Sequence, residues 1–284
     1  MNITNASAIV TGSGGAMGRA ISTELARRGA RVACADIDPA GLNDTIQQIE
    51  REGGKAFGIR VDVTVREQVR NMVAQTINAF GQVDVLVNNA AIFHAIGGVW
   101  EVDPDEWWLD VKTNLLGPFL CCQAALPHMM SRNQGIIINI SGGGFGGPIL
   151  GGSGYSCSKT ALIRLTDTLA FEIGERDSRH RVPGMGYNIQ VYAMEPAFVL
   201  GPMNEFVAQH ELGQRWLPFV KEDLEAGKVQ PPEDVGRAIC NLIEISHPAL
   251  SGRVFSYKHD LEQLFSYTDE INAQDLHQLR MRFN

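Results

Sequence analysis

The sequence of 284 residues is poor in the features that mark several classes of protein. No apolar run approaches the roughly 18 to 20 residues of a membrane span, and the first residues lack the basic region of a secretory signal. The five cysteines are odd in number and form no Cys-x-x-Cys pair, which favours reduced thiols in a cytoplasmic protein. The seven histidines show no metal-ligand spacing, so we expect no metal site. The net charge of −8 disfavours nucleic acid and anionic membranes as partners.

Patterns typical of strands and of helices alternate along the chain. The sequence predicts strands over 6–10, 31–36, 56–63, 83–91, 135–141, 188–194 and 253–257, with helical spacing of apolar residues between them. This alternation implies right-handed crossovers, and hence a doubly wound parallel sheet of about seven strands with helices on both faces. We therefore predict one α/β domain over residues 1–257. Residues 258–284 are predicted to form a mostly helical tail that closes the pocket or contacts a neighbouring copy.

A glycine-rich segment, TGSGGAMG at residues 11–18, separates the first predicted strand from the first predicted helix. In this position glycines let the backbone approach a pyrophosphate, and the N-terminus of the helix supplies N–H donors. Glycines also simply close tight turns, so the segment alone is weak evidence for a nucleotide site. The residues that it offers to a cofactor are Gly12, Ser13, Gly14, Met17 and Gly18.

An acid at the end of the second predicted strand adds to this evidence. Asp36 follows Gly12 by 24 residues, near the offset of roughly 20 residues at which a carboxylate binds the adenosine ribose. This carboxylate would repel the 2′-phosphate of NADP, and the next residue is Ile37 rather than a phosphate-binding arginine. The pattern therefore predicts NAD as the cofactor. The alternative is an ordinary solvated or capping aspartate ahead of Asp38-Pro39.

Tyr155 and Lys159 stand four residues apart in YSCSK, hence on one face of a predicted helix. A free tyrosine is a poor base at neutral pH. We expect the Lys159 ammonium, together with an oxidised nicotinamide, to lower the pKa of Tyr155. The pair follows a predicted strand in a nucleotide-binding domain, and this setting favours proton transfer over a core tyrosine beside a solvated lysine.

Several motifs occur in the order seen in the short-chain dehydrogenases/reductases, a family that the sequence resembles over residues 5–257. The motifs are TGSGGAMG, Asp62-Val63, NNAA (88–91), Asn114, NIS (139–141), YSCSK and EPAFV (195–199). The resemblance implies a Rossmann-like oxidoreductase that forms dimers or tetramers through helices near 105–132 and 154–175. It further implies site residues by position. These are Asp62 and Val63 at the adenine, Asn89 at the ribose side, Val199 holding the nicotinamide carboxamide by its backbone, and Asn114 linking Lys159 to a water chain.

Four residues depart from the family pattern. Ala16 and Ala91 replace glycines, Ala197 replaces the glycine of a Pro-Gly pair, and Gly201 stands where a threonine often touches the nicotinamide amide. Each departure exchanges small residues or deletes one contact, so we expect altered cofactor geometry rather than lost binding.

The donor to the substrate oxygen is less clear in this sequence. In most relatives a serine stands thirteen residues before the tyrosine, and here that residue is Gly142. Ser141 is fourteen residues before Tyr155, and one bulged residue in the following glycine-rich loop would restore its place. We therefore expect Ser141 to hold the substrate oxygen. The alternatives are Ser153 and the N–H groups of the loop backbone.

The predicted function is an NAD-dependent interconversion of a secondary alcohol and a ketone, with Tyr155 as general acid and base. The catalytic residues are then Tyr155, Lys159, Ser141 and Asn114. A non-catalytic NAD-binding sensor or structural subunit is the alternative, motivated by the four departures and the displaced serine.

Apolar side chains on loops near the strand ends suit either lid packing or an apolar substrate pocket; they are Phe93, Phe145, Leu150, Phe198, Met203, Phe206 and Trp216. Residues 176–186 are predicted to be an inserted surface loop.

Overall fold

A computed structural model describes residues 1–144, 146–174, 186–196, 198–274 and 276–279. The described chain forms one seven-stranded sheet in the order β3-β2-β1-β4-β5-β6-β7. Every neighbouring pair of strands is parallel. The strands are β1 Ser7–Thr11, β2 Arg31–Asp36, β3 Lys55–Arg60, β4 Val85–Asn88, β5 Gly135–Ile140, β6 Ile189–Glu195 and β7 Val254–Ser256. The predicted doubly wound parallel sheet of seven strands is confirmed.

Helices cover both faces of the sheet. They are α1 Ala16–Arg27, α2 Pro39–Arg51, α3 Arg66–Phe80, α4 Pro104–Val111, α5 Gly117–Arg132, α6 Ser153–Ile173, α7 Pro202–Gln209, α8 Glu211–Trp216, α9 Pro218–Glu225, α10 Pro232–Ile245, α11 Leu261–Ser266 and α12 Thr268–Ala273. Within the described residues, no helix is both long enough and apolar enough to cross a membrane.

The central strands are apolar because helices bury them on both faces. All six residues of β5, GIIINI, are buried. Burying each of its isoleucines contributes roughly 1.5 to 3 kcal/mol. A continuous apolar run of this kind is typical of a parallel strand that is covered on both sides. The same packing fixes the carboxyl ends of β1, β2, β4, β5 and β6 at one edge of the sheet, where the polar motifs follow.

Three predicted elements differ in detail from the structure. The helical stretch predicted over 105–132 is broken by a π-helical turn, Lys112–Leu116, between α4 and α5. The third and fourth strands end earlier than predicted, so Asp62, Val63 and Asn89 lie on the loops that follow them. The predicted insertion at 176–186 lies outside the described residues except for its last glycine.

The C-terminal tail packs on its own chain. Leu261 and Ile271 are buried in the main apolar core, and Leu264 and Phe265 pack partly against it. The backbone N–H of Val254 donates to the carbonyl of His277 at 2.8 Å. The described part of the tail therefore extends the edge of the domain beside β7 and lines no part of the cavity described below.

Candidate active site

A cavity of about 820 Å³ opens at the carboxyl ends of the strands. One side is formed by the turn after β1 and the loops after β2 and β3, and the other by α6, α7 and α9. The strand order reverses between β1 and β4. Ligands of doubly wound sheets bind at such a switch point, outside the carboxyl ends of the strands. The topology therefore places the cavity where a nucleotide site is expected.

The turn between β1 and α1 requires its glycines. Gly12 has a φ of 69°, a left-handed conformation that favours glycine. A Cβ on Gly18 would lie 2.0 Å from the Gly12 carbonyl oxygen, so only glycine allows α1 to begin this close to the turn. Gly12, Gly14, Met17 and Gly18 line the cavity. Ser13 does not, because its buried hydroxyl donates to the Val10 carbonyl at 2.7 Å.

Asn89 ties this turn to the neighbouring strand. Its Nδ2 donates to the carbonyls of Thr11 and Gly12 at 2.8 and 3.2 Å. Its Oδ1 is buried and has no hydrogen-bond partner in the part of the chain that the structure describes. An unpaired buried acceptor beside a glycine cradle fits a ligand that carries hydroxyl donors, as a ribose does. The residues present therefore suit a nicotinamide dinucleotide.

Asp36 faces the same turn from the end of β2. Its Oδ2 accepts the Gly14 N–H at 2.7 Å, and its Oδ1 accepts the Asp38 N–H at 2.9 Å. Capping of α2 falls to Asp38, whose side chain accepts from Ala40 and Gly41. Ile37 is 59% exposed and, like Asp36, lines the cavity. The acid is thus held at the turn rather than used as a helix cap.

Arg19 is the cation that directly follows the glycine turn in the chain, and it is engaged elsewhere. Its Nη2 donates to the Gly14 carbonyl at 3.3 Å, and its Nε donates to Thr45 Oγ1 at 3.2 Å. It also lies 3.8 Å from the Asp44 carboxylate. These contacts direct the guanidinium toward α2.

The other predicted cofactor residues also lie at the cavity. Asp62 and Val63 line its wall. Asp62 Oδ1 accepts both the N–H and the hydroxyl of Thr64 at 2.8 Å, which fixes the loop after β3. Val199 is buried, and its carbonyl accepts from the Asn204 side chain at 2.7 Å. Ala197 lies outside the described residues.

Tyr155 and Lys159 lie on the first turns of α6, at the floor of the cavity. The Lys159 ammonium is buried and donates to the Ile140 carbonyl at 2.9 Å. It lies 5.7 Å from the centre of the Tyr155 ring. The ring of Phe93 stacks on Tyr155 with 4.7 Å between centroids. Tyr155 is therefore held between an aromatic ring and a buried cation.

Burial controls the ionisation of both groups. It raises the pKa of Tyr155 to about 12, and the charge of Asp110 adds to the effect. It lowers the pKa of Lys159 to about 7. The sequence predicts a lowered pKa for the tyrosine. In the protein without cofactor, the pKa of Tyr155 is instead raised, because burial disfavours the charged phenolate. Lys159 does not reverse this effect, since its ammonium is bonded to the Ile140 carbonyl.

Asn114 lies in the π-helical turn and holds the loop after β4. Its Oδ1 accepts the Ile92 N–H at 2.9 Å, and its Nδ2 donates to the Ile92 carbonyl at 2.9 Å. Nδ2 also lies 3.2 Å from the Ser158 hydroxyl on α6. The amide therefore joins the loop that carries Phe93 to the helix that carries Tyr155.

Asp110 is a site residue that the sequence reasoning missed. It is fully buried, and its carboxylate accepts the N–H groups of His94 and Ala95 at 2.9 and 3.2 Å. Burial raises the pKa of this carboxyl. The sequence pattern that could have indicated this role is the spacing of four residues between Asp110 and Asn114, since two polar residues on one face of a helix can both hold a neighbouring loop.

Ser141 and Gly142 differ from the expected arrangement. The Ser141 hydroxyl is buried and donates to the Met194 carbonyl at 3.1 Å, so it is engaged with β6. Gly142 faces Tyr155 instead, because a Cβ built on it would lie 2.3 Å from the tyrosine oxygen. Ser153 accepts from the Trp107 indole at 3.2 Å and does not line the cavity. Ser141 itself lines the cavity, with its hydroxyl bonded to β6.

The far end of the cavity is apolar. Its lining includes Phe93, Ile149, Phe198, Met203, Val207, Leu217 and Phe219. Other predicted loop residues have different places. Phe206 contacts the rings of His94 and His210, Trp216 contacts Trp100 and donates to Glu101, and Leu150 is 67% exposed. Phe145 lies outside the described residues. Of the predicted loop residues, Phe93, Phe198 and Met203 thus line the cavity, and the others described pack elsewhere or are exposed.

Comparison with known proteins decides the family. The model of the family described as short chain dehydrogenase matches residues 6–212. The chain belongs to the short-chain dehydrogenases. It is 31% identical over 257 residues to (2S)-[(R)-hydroxy(phenyl)methyl]succinyl-CoA dehydrogenase subunit BbsD of Thauera aromatica, covering 89% of this chain and 95% of that protein. It is 29% identical over 248 residues to the 3-oxoacyl-[acyl-carrier-protein] reductase FabG of Thermotoga maritima, covering 87% and 93%.

Solved structures of short-chain dehydrogenases have the same fold. NAD+-bound xylitol dehydrogenase superposes with a TM-score of 0.77 at 24% identity, covering 90% of this chain and 98% of that one. A single-residue variant of actinorhodin polyketide ketoreductase with NADPH gives 0.76 at 25% identity, covering 90% and 96%. The chain is thus an oxidoreductase of a family that uses nicotinamide cofactors. One of these two neighbours holds NAD+ and the other NADPH.

Proposed function

We propose that this short-chain dehydrogenase interconverts a secondary alcohol and a ketone with NAD(H). The observation that carries the proposal is the Tyr155–Lys159 pair at the floor of the cavity, with Phe93 stacked on the tyrosine. A cofactor bound along the glycine turn supplies or accepts the hydride. The protein's own part is to bind the substrate oxygen, move its proton and keep water away.

Proton transfer is the task of Tyr155 in this proposal. In ketone reduction the neutral phenol is the acid, and a pKa raised to about 12 keeps it protonated at neutral pH. In alcohol oxidation the phenolate is the base. The positive charge of an oxidised nicotinamide would favour the phenolate, and so does Lys159 while it is protonated, which at its pKa of about 7 is the case for only part of the protein at neutral pH.

Cofactor choice follows from charge. Asp36 can accept from both ribose hydroxyls, and its carboxylate would meet a 2′-phosphate with like charge. Ile37 adds no cation, and Arg19 is directed toward Asp44 and Thr45. We propose that NAD(H) binds at least about tenfold more tightly than NADP(H), which corresponds to roughly 1.4 kcal/mol.

The substrate class follows from the lining of the far end. Phe198, Met203 and Phe219 line the cavity and carry no strong hydrogen-bonding side-chain group, although His94, Thr113 and Asn204 also line it. We propose a ketone or alcohol with a ring or another apolar body. A sugar or polyol would leave many hydroxyls unpaired against this wall, at a cost of about 1 to 3 kcal/mol for each buried group.

The proposed assembly and location complete the function. Trp108 on α4, Phe119 on α5 and Phe171 on α6 are all at least 41% exposed. We propose that these helices form the contact of a homodimer or homotetramer in the cytoplasm. Sedimentation at micromolar concentration tests the assembly, and a monomer would contradict it.

NADH absorbance across a panel of aromatic and aliphatic ketones and secondary alcohols tests the activity. We expect turnover by the parent and a loss of at least about 10²-fold in Tyr155→Phe, with NADH affinity retained. Tyr267→Phe is the matched control, since this half-exposed tail residue does not line the cavity. Tight NADH binding without turnover on the whole panel would instead support a non-catalytic sensor.

A further inference from the structure

Gly142 brings the main chain against the reacting hydroxyl. A Cβ on this residue would lie 2.3 Å from the Tyr155 oxygen and 3.1 Å from Cζ. A real Cβ essentially never approaches an atom within 3.0 Å, so any side chain here would displace the tyrosine. A serine at this position could not present its hydroxyl without such a shift. The absence of a side chain therefore allows a close approach of backbone to Tyr155.

The N–H of Gly142 has no hydrogen-bond acceptor among the described residues. The residue is buried and lines the cavity. Buried backbone N–H groups are almost always paired, so an unpaired one at a cavity wall indicates a ligand that supplies the acceptor. The preceding N–H, of Ser141, differs in this respect because it donates to the Met194 carbonyl at 2.9 Å.

The two serines that could replace this donor are occupied. The Ser141 hydroxyl donates to the same Met194 carbonyl at 3.1 Å. Turning it toward the cavity would cost that bond, and the side chain is only 1% exposed. Ser153 lies outside the cavity lining and accepts from Trp107. Ser141 lines this wall as well, but its hydroxyl is already bonded, so the unpaired donor beside Tyr155 is the main-chain N–H of Gly142.

We propose that the backbone N–H of Gly142, in place of a serine hydroxyl, holds the substrate oxygen beside Tyr155. The inference rests on the proposed function. In ketone reduction a hydride would leave a C–H bond of the reduced nicotinamide, which is thereby oxidised, and would form the new C–H bond of the product as the carbonyl π pair moves to oxygen. That oxygen takes the Tyr155 proton, which yields the secondary alcohol and a phenolate that regains a proton from solvent. The N–H donates to the oxygen as its negative charge develops, the point at which a fixed donor lowers a barrier most.

The test removes the N–H without adding a side chain. Glycolic acid incorporated at position 142 by cell-free nonsense suppression replaces the amide with an ester and leaves no Cβ to meet Tyr155. Glycolic acid at position 147 is the matched control, because Gly147 is exposed and a Cβ there would meet nothing within 4 Å. Ser141→Ala and Ser153→Ala form the second pair. Turnover of a ketone accepted by the parent and NADH affinity are measured for all four.

We expect the ester at 142 to lower kcat by about 10²-fold with NADH affinity retained, and the ester at 147 to behave as the parent. Ser141→Ala and Ser153→Ala should stay within about threefold of the parent, since neither hydroxyl touches the substrate. A parent-like rate for the 142 ester would overturn the inference. So would a Ser141→Ala variant slowed by about 10²-fold or more, which decides the matter even where the ester protein fails to fold. A parent that turns over no substrate refutes the proposed function itself, an outcome distinct from both.

Discussion

Gly201 faces Ala16 across the cofactor end of the cavity, and a Cβ on Gly201 would lie 3.4 Å from the Ala16 Cβ. Both residues depart from the pattern of the family, one by gaining a methyl group and the other by losing a side chain. Both line the cavity. A Cβ at 201 would make only an ordinary van der Waals contact with this methyl, so any crowding would come from the outer atoms of a larger side chain.

This relationship predicts coupled effects on cofactor binding. We expect Gly201→Thr to weaken NADH binding by about fivefold, and Ala16→Gly alone to change it little. In the double variant the threonine should be accommodated, with a coupling free energy of about 1 kcal/mol. Fluorescence titration with NADH over the four proteins measures the cycle. Strictly additive effects would show that the two positions do not share the space.

Asp36 is expected to decide cofactor preference. Asp36→Asn removes the charge while keeping an acceptor for the Gly14 N–H. We expect NADP(H) to bind this variant more tightly than it binds the parent, so that the preference for NAD(H) falls below about threefold. Asp44→Asn is the control, because it makes the same change of carboxylate to amide at an exposed aspartate 3.8 Å from Arg19. Equal binding of both cofactors to the parent would contradict the role given to Asp36.

The two directions of reaction should respond to pH in opposite senses. Since the pKa of Tyr155 is raised to about 12, its phenolate is scarce at neutral pH and its phenol is abundant. We expect alcohol oxidation to accelerate steadily from about pH 7 to about pH 10, while ketone reduction is flat and then declines. Initial rates at saturating cofactor in a constant-ionic-strength buffer measure both profiles. An oxidation rate that is already flat at neutral pH would mean that bound cofactor lowers the tyrosine pKa to below neutrality.

We expect Lys159 to lower the stability of the cofactor-free protein. Burial lowers its pKa to about 7, whereas the lysine of an unfolded chain titrates near 10.4. Between these values the unfolded chain binds more protons, so parent stability rises with pH across that window. We expect Lys159→Met to be more stable than the parent by on the order of 2 kcal/mol at about pH 7, and by less at about pH 9. Urea unfolding at the two pH values checks this. A gain that does not change with pH would show that the lysine keeps its ordinary pKa in the folded state.

The sheet could be predicted from sequence because burial on both faces leaves a plain signal. GIIINI reads as a strand by its composition, and the polar residues Asn89 after β4 and Ser141 after β5 mark the edge where sites form. Asp36 was predictable on the same ground, since its distance from Gly12 depends only on the length of one helix and one strand.

The local direction of side chains could not be predicted. Sequence spacing does not say whether Ser141 faces Tyr155 or β6, because the answer depends on where the backbone turns after β5. Ser13 likewise reads as a residue of the phosphate turn, and only the packing of α1 shows that its hydroxyl points inward to Val10. Asp110 was missed for a related reason. Its partners are backbone N–H groups of a loop that has no sequence signature.

The helices α7 to α9 pack around a small apolar core of their own, which includes Val207, Ala208, Leu217 and Val220 together with Phe93 and Ile96. The proton-transfer residues stand on α6, outside this segment. Under the proposed function, the part of the cavity lining that residues 202–225 contribute could therefore change without replacing Tyr155 or Lys159, although Tyr155 packs against the same apolar core.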